Sequence, residues 1–246
     1  MDARPGSGTT FGAFLGEKIH LGIITGLNKA FVIDSEQREK LILEDPASEK
    51  IIRPWLRGRD IKRWRFGWEG EWLLFVHRGV DIDDFPAIKR HLSMFREDLE
   101  PKTSPNQPRG RRFGNYEWYE IRDHVDYFDA FDKPKIIYPN IARRSEFALD
   151  KDGYLTNQKA FIIESNDPAL LAYLNSSMVN YWFQKHLPKL RGGFMEPGKS
   201  FIKDLPLPPN YENAFQEKRP LWQLANKIEK LLVKDPDADI SHLERE

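Results

Sequence analysis

Seven cationic side chains, Lys50, Arg53, Arg57, Arg59, Lys62, Arg63 and Arg65, fall between positions 50 and 65 against a single carboxylate, Asp60. Guanidinium forks at this density can bridge phosphates or read guanine edges. Arg57-Gly58-Arg59 sets a glycine between two cations, so the backbone itself can come close to a partner. Trp55, Trp64 and Trp68 interleave with the arginines. Indoles can stack on splayed bases, but the reading favoured for Trp55 and Trp64 is that of core anchors beside a solvated turn. A second group, Lys185, Lys189, Arg191, Lys199 and Lys203 against Glu196, includes Arg191-Gly192-Gly193-Phe194 and repeats the pairing of cation and small residue. Asn157-Gln158-Lys159 adds amides suited to adenine edges, with a turn role for Asn157 as the alternative.

The whole-chain charge hides these clusters. The 246 residues carry 38 Lys+Arg and 38 Asp+Glu, a net charge of zero that by itself argues against a nucleic-acid partner. The stretch from Asn115 to Asp132 supplies the offset, with Glu117, Glu120, Asp123, Asp126, Asp129 and Asp132 against Arg122. Charge segregated in this way can build a basic face on a neutral chain.

Other chemistries find little support. With no cysteine there is no disulfide, thiolate zinc site or cysteine nucleophile, and the composition suits a reducing cytoplasm. Neither a glycine-rich dinucleotide turn nor a P-loop is present, and the six histidines lack metal-ligand spacing. Two stretches imitate the carboxylate–carboxylate–lysine pattern of metal-dependent nucleases: Asp84 with Glu100-Pro101-Lys102, and Asp45 with Asp60-Ile61-Lys62. Solvated charge is the competing reading, so a Mg²⁺-dependent nuclease stands as an alternative function. A protein-interaction module using the aromatic surface is another. Pro208-Pro209-Asn210-Tyr211 has the composition, in the wrong order, of the tetrapeptide with which amino-methyltransferases hold a flipped adenine, and it reads as a linker.

The elements that must position these residues are mixed. Leu21–Thr25 and Ala30–Asp34 read as a β-hairpin around Gly26–Lys29; Trp72–Val76, Lys135–Tyr138, Phe147–Leu149 and Ala160–Glu164 read as further strands. Helices are expected from Pro86 to Leu99, from Pro168 to Pro188 and from Glu217 to Lys234. Strands with scattered helices and no regular βαβ alternation predict an α+β domain: a mixed β-sheet with a few packed helices. The longest uncharged stretch, Pro168–Gln184, is too short and too polar to cross a bilayer, and Met1–Thr10 lacks the apolar core of a signal peptide.

Several of these stretches, taken in order, resemble the TaqI-like C-terminal specificity domain, the target-recognition part of type II (IIG-like) restriction-modification enzymes and adenine-specific DNA methyltransferases. They are Gly22–Asp34, Ile52–Trp64 with its Trp55-Leu56-Arg57-Gly58-Arg59-Asp60-Ile61 centre, Lys133–Pro139, Leu155–Asn157, Leu174–Ser176, Leu190–Gly193 and Ile202–Pro208. The resemblance implies a target-recognition-domain-like fold that binds double-stranded DNA sequence-specifically. It also implies a covalently linked methyltransferase domain upstream that uses S-adenosylmethionine, with Mg²⁺ if a nuclease is present; no cofactor is expected in this segment. The division expected is a flexible entry over 1–16, a DNA target-recognition domain over 17–210 and a C-terminal helical segment over 211–246, cut short. Arg57, Arg59, Lys62, Arg63, Lys189 and Arg191 are the candidates for phosphate contact. Arg143, Arg144, Asn157, Gln158 and Lys159 are the candidates for reading bases.

Overall fold

In the computed structural model, residues 9–208, 211, 215 and 219–245 are described. Helices α1 (Phe11–Leu15), α2 (Asn28–Phe31), α3 (Ser35–Glu44), α4 (Pro86–Ser93) and α5 (Arg96–Leu99) lie in the first half of the chain, and α6 (Asp129–Asp132) lies just past its midpoint. Helices α7 (Pro168–Leu174), α8 (Ser177–His186), α9 (Lys199–Lys203) and α10 (Pro220–Lys234) come later. The strands are β1 (Ile19–Leu21), β2 (Val32–Ile33), β3 (Ile52–Leu56), β4 (Ile61–Lys62), β5 (Arg65–Phe66), β6 (Trp72–Leu74), β7 (Lys135–Pro139), β8 (Ala148–Asp150), β9 (Leu155–Thr156) and β10 (Ala160–Ile163). The α+β architecture is the one the element pattern predicts.

One four-stranded sheet has the order β1-β10-β7-β8 and is antiparallel throughout. Both of its faces are buried. Ile137, Ala148, Ala160 and Ile162 point into a first core, whereas Ile136, Tyr138, Phe161 and Ile163 point into a second core shared with Phe147, Leu170, Leu174 and Phe183. Alternate side chains therefore feed two cores, which is why these strands read as unbroken apolar runs. A second sheet has the order β2-β6-β3-β9, with β9 parallel to β3, and packs with α4 and Trp55 in the first of those cores. Strands β4 and β5 form a separate two-stranded ribbon.

Four expectations change. The hairpin expected over residues 21–34 is absent: Asn28–Phe31 is a helical turn, β1 pairs with β10 and β2 with β6. The positive φ of Gly26 (81°) does turn the chain, but the two flanking runs go to different sheets because each has a longer-range partner to bury against. The helix expected from Pro86 to Leu99 breaks after Ser93, where Phe95 leaves helical geometry. The helix expected from Pro168 to Pro188 is two: Asn175 ends the first, and the Ser176 side chain caps the second by accepting from the Val179 amide. Within the entry expected to be flexible, Phe11–Leu15 form α1, with Phe11 buried in the second core. The remainder of that entry up to residue 8, the start of the last expected helix, and Pro209 and Asn210 lie outside the described residues.

Candidate nucleic-acid interface

Four segments that are distant in sequence meet at one groove. The first is the turn Arg57–Asp60, in which the Asp60 carboxylate accepts the Arg57 amide (2.8 Å) and closes a one-turn 3-10 helix. Its glycine is required by contact: a Cβ on Gly58 would lie 2.0 Å from the Lys159 carbonyl oxygen. The second is the turn between β9 and β10, where Asn157 Oδ1 accepts from both Gly58 N (3.1 Å) and Lys159 N (3.0 Å). The third leaves β7: Asn140 N donates to Lys159 O (2.8 Å), and Ala142 exchanges two backbone hydrogen bonds with Met195. The fourth is the segment Lys189–Met195, closed by Leu190 N donating to Phe194 O (2.8 Å). Gly192 and Gly193 both take positive φ there, which lets Arg191 stand out from a tight turn.

The groove between these segments has a volume of about 540 Å³. Arg59, Lys62, Arg143 and Lys159 stand around it, with Ile61, Ile141 and Phe194 supplying apolar surface. The Arg143 guanidinium lies 4.6 Å from the centre of the Phe194 ring, a cation–π contact that orients its fork. Lys62 donates to Arg59 O (2.7 Å), which steadies its ammonium over the turn. Among the described residues Glu146 is the one acidic residue lining the groove; burial raises its carboxyl above the usual range, while Lys62 and Arg144 pull it back. A groove with exposed cations at its rim and aliphatic and aromatic surface within suits a phosphate-flanked base edge.

The candidates distribute unequally. Arg59, Lys62, Arg143 and Lys159 come together, Gln158 is exposed on the same turn, and Lys189 and Arg191 are exposed on the segment that carries Phe194. Arg57 faces a neighbouring cavity of about 270 Å³ and is ion-paired with Glu71. Asn157 serves as the clamp of the turn, the alternative the sequence left open. Arg63 is placed elsewhere: its side chain is 13% exposed and its Nε is 2.7 Å from Glu244, at the C-terminal end of the chain. Burial lowers its pKa, opposed by Glu244, so it is a buried pair member rather than an open phosphate ligand. Arg144 lines the Arg63 cavity and lies 4.0 Å from Glu146.

Ile141 and Phe194 line the groove although no spacing rule singles them out; Phe194 directly follows the Arg-Gly-Gly run, the one signal available. Trp55 is a core anchor as expected, 1% exposed, and Trp64 packs against the second core. Three of the four carboxylates of the nuclease-like stretches are spent locally, and the fourth, Asp84, is exposed. Asp45 caps a 3-10 turn, Asp60 closes the Arg57 turn and Glu100 pairs with Arg96. No group of three or more His, Cys, Asp or Glu that could hold a metal occurs among the described residues. Nor is any described helix long and apolar enough to cross a membrane.

Residues 53–207, which contain every groove segment, match the model of the TaqI-like C-terminal specificity domain. The chain is 22% identical over 202 residues to the type II methyltransferase M.BstVI of Geobacillus stearothermophilus, covering 78% of this chain and 33% of that protein. It is 24% identical over 200 residues to the type II methyltransferase M.PaeR7I of Pseudomonas aeruginosa, covering 78% and 32%. The chain thus spans about a third of the length of these relatives. Its fold matches part of MmeI, a type IIL restriction-modification enzyme solved in complex with DNA, with a TM-score of 0.63 at 18% identity over 92% of this chain and 29% of that one. The chain belongs to the family of TaqI-like C-terminal specificity domains.

Proposed function

We propose that this chain is the DNA target-recognition module of a restriction-modification enzyme, holding duplex DNA for adenine methylation by a linked domain. The observation that carries the reading is the convergence of Arg59, Lys62, Arg143 and Lys159, from three separate segments, on one groove inside the family's matched region. Arg59, Lys62, Lys189 and Arg191 contact phosphates and fix the register; Arg143, Gln158 and Lys159 face base edges in the major groove. The linked domain binds S-adenosylmethionine and extrudes the adenine, while this module keeps the flanking duplex in place. Acting on cellular DNA, such an enzyme works in the cytoplasm.

The test is a salt titration of duplex binding by fluorescence anisotropy. Four groove cations neutralising four phosphates give a slope of log K against log salt of about −3.6. Absence of duplex binding at low salt, or an affinity indifferent to salt, rejects the reading. Mg²⁺-dependent cleavage lost in Asp60→Ala or Glu100→Ala would instead revive the nuclease.

A further inference from the structure

The segment Pro101–Tyr116 contains Lys102, Arg109, Arg111 and Arg112 and no acidic residue. It is a third basic segment, outside the groove. One of its cations is an internal anchor. The buried Arg111 side chain donates to five backbone carbonyls: Leu99 (2.7 Å), Thr25 (2.9 Å), Glu120 (2.7 Å), Glu117 (3.2 Å) and Trp118 (2.9 Å). This network ties the root of the loop to the body, and Lys102 and Arg111 also pair through their backbones. The loop itself is closed by Gln107 Oε1, which accepts from the Thr103 amide (3.0 Å), and by Gly110 at φ 104°, where a Cβ would lie 2.6 Å from Glu100 O.

What this scaffold holds out is unusual. Phe113 is 80% exposed and touches no other aromatic ring among the described residues. Next to it, the Arg112 guanidinium is exposed, and across the loop Lys102 is half-buried; neither has a carboxylate partner among the described residues. Arg109 differs, being paired with Glu97. Lys102, Arg112 and Phe113 share the walls of a cavity of about 590 Å³. Lone surface apolar side chains are common, but a phenyl ring flanked by two free cations on a rigidly anchored loop matches the wedge-and-phosphate arrangement of minor-groove contacts. The anchor also connects to the cavity beside the groove. Thr25, whose carbonyl accepts from Arg111, donates its hydroxyl to Asn28 (2.6 Å), and Asn28 shares a cavity with Arg57 and Asn157.

We propose that the loop Lys102–Phe113 is a second duplex-contacting element. Lys102 and Arg112 hold phosphates of the flanking duplex, and Phe113 packs into its minor groove against a base step. This rests on the target-recognition reading and adds to it a contact outside the groove. It also explains why the loop is built on a buried arginine: a wedge must resist displacement when it meets stacked bases.

Anisotropy titrations of the chain with a mixed-sequence duplex across a KCl series test it. Lys102→Ala/Arg112→Ala should make the salt slope about 1.8 less steep, at roughly 0.9 per lost phosphate contact. Phe113→Ala should weaken binding at least about fivefold at constant salt without changing the slope, and Phe113→Leu should restore part of the loss. On an A·T-rich duplex, the minor-groove ligand netropsin should weaken the parent more than Phe113→Ala. An unchanged slope in the double variant, full affinity in Phe113→Ala, or equal netropsin sensitivity in both proteins overturns the proposal. If Lys62→Ala lowers the slope while the loop variants do not, the groove reading stands and the loop contact alone fails. If the parent binds no duplex, both fall.

Discussion

Gly58 meets the backbone of Lys159 so closely that a Cβ at position 58 would lie 2.0 Å from the Lys159 carbonyl oxygen. Gly22 approaches the same turn from another segment, where a Cβ would lie 2.0 Å from the Asn157 carbonyl oxygen. The turn that presents Gln158 and Lys159 is thus held between two glycines. Neither contact can be relieved by a flexible side chain, since both involve backbone. Gly58→Ala is expected to destabilise the chain by about 1–3 kcal/mol, as overpacking does. Thermal unfolding measures that loss. Duplex affinity should fall further than stability alone accounts for, because the turn is displaced from the groove.

Arg63 and Arg143 separate a buried pair from an open contact. Arg143→Ala, at a base-reading position, should alter the sequence preference of duplex binding, whereas Lys62→Ala should reduce its salt slope by about 0.9. Arg63→Ala should leave the slope unchanged and lower stability, since it leaves Glu244 and the indole N–H of Trp64 that donates to it (3.0 Å) without their cation. A slope change in Arg63→Ala, measured by the same titration, would return Arg63 to the interface.

His91 makes stability depend on pH. Its Nε2 donates to Ala30 O (3.0 Å), while burial lowers its pKa below the usual 6.5. The folded state therefore keeps the ring neutral where the unfolded chain takes a proton. The associated stability is complete above the unfolded pKa and is lost as the pH falls through 6.5 toward the depressed folded value. Urea denaturation at pH 7.5 and 5.5 should show this loss in the parent, and His91→Gln should show less of it.

Lys135 and Asp150 are cross-strand neighbours on β7 and β8, both fully buried, with Lys135 Nζ 2.5 Å from Asp150 Oδ2. The Asp150 carboxylate also accepts the amides of Asp152 (2.9 Å) and Tyr154 (3.0 Å), shaping the turn that leads to β9. Lys135→Met should cost about 3–5 kcal/mol by stranding a buried carboxylate. Adding Asp150→Asn should recover part of this, because the charge goes while an amide oxygen still serves the turn. Chemical denaturation of the two variants checks the order.

The residues alone determined the α+β class, the central strands, the basic segments hidden in a neutral chain and the motif order of the family. These are local or sequential properties: apolar runs, charge density and the spacing of glycines beside arginines survive without coordinates. Only the tertiary structure decided which cations share a surface. Arg59 and Arg63 lie four positions apart and look equivalent in sequence, yet one lines the groove and the other meets Glu244 from the far end of the chain. The hairpin expected over residues 21–34 failed for the same reason: strand partners were chosen by burial against distant segments, not by the turn between neighbours. Arg111 and Arg112 are adjacent, and the chain buries one among five carbonyls while leaving the other exposed. Long-range packing sets how much solvent each guanidinium keeps, and that determines whether it builds the scaffold or meets a partner.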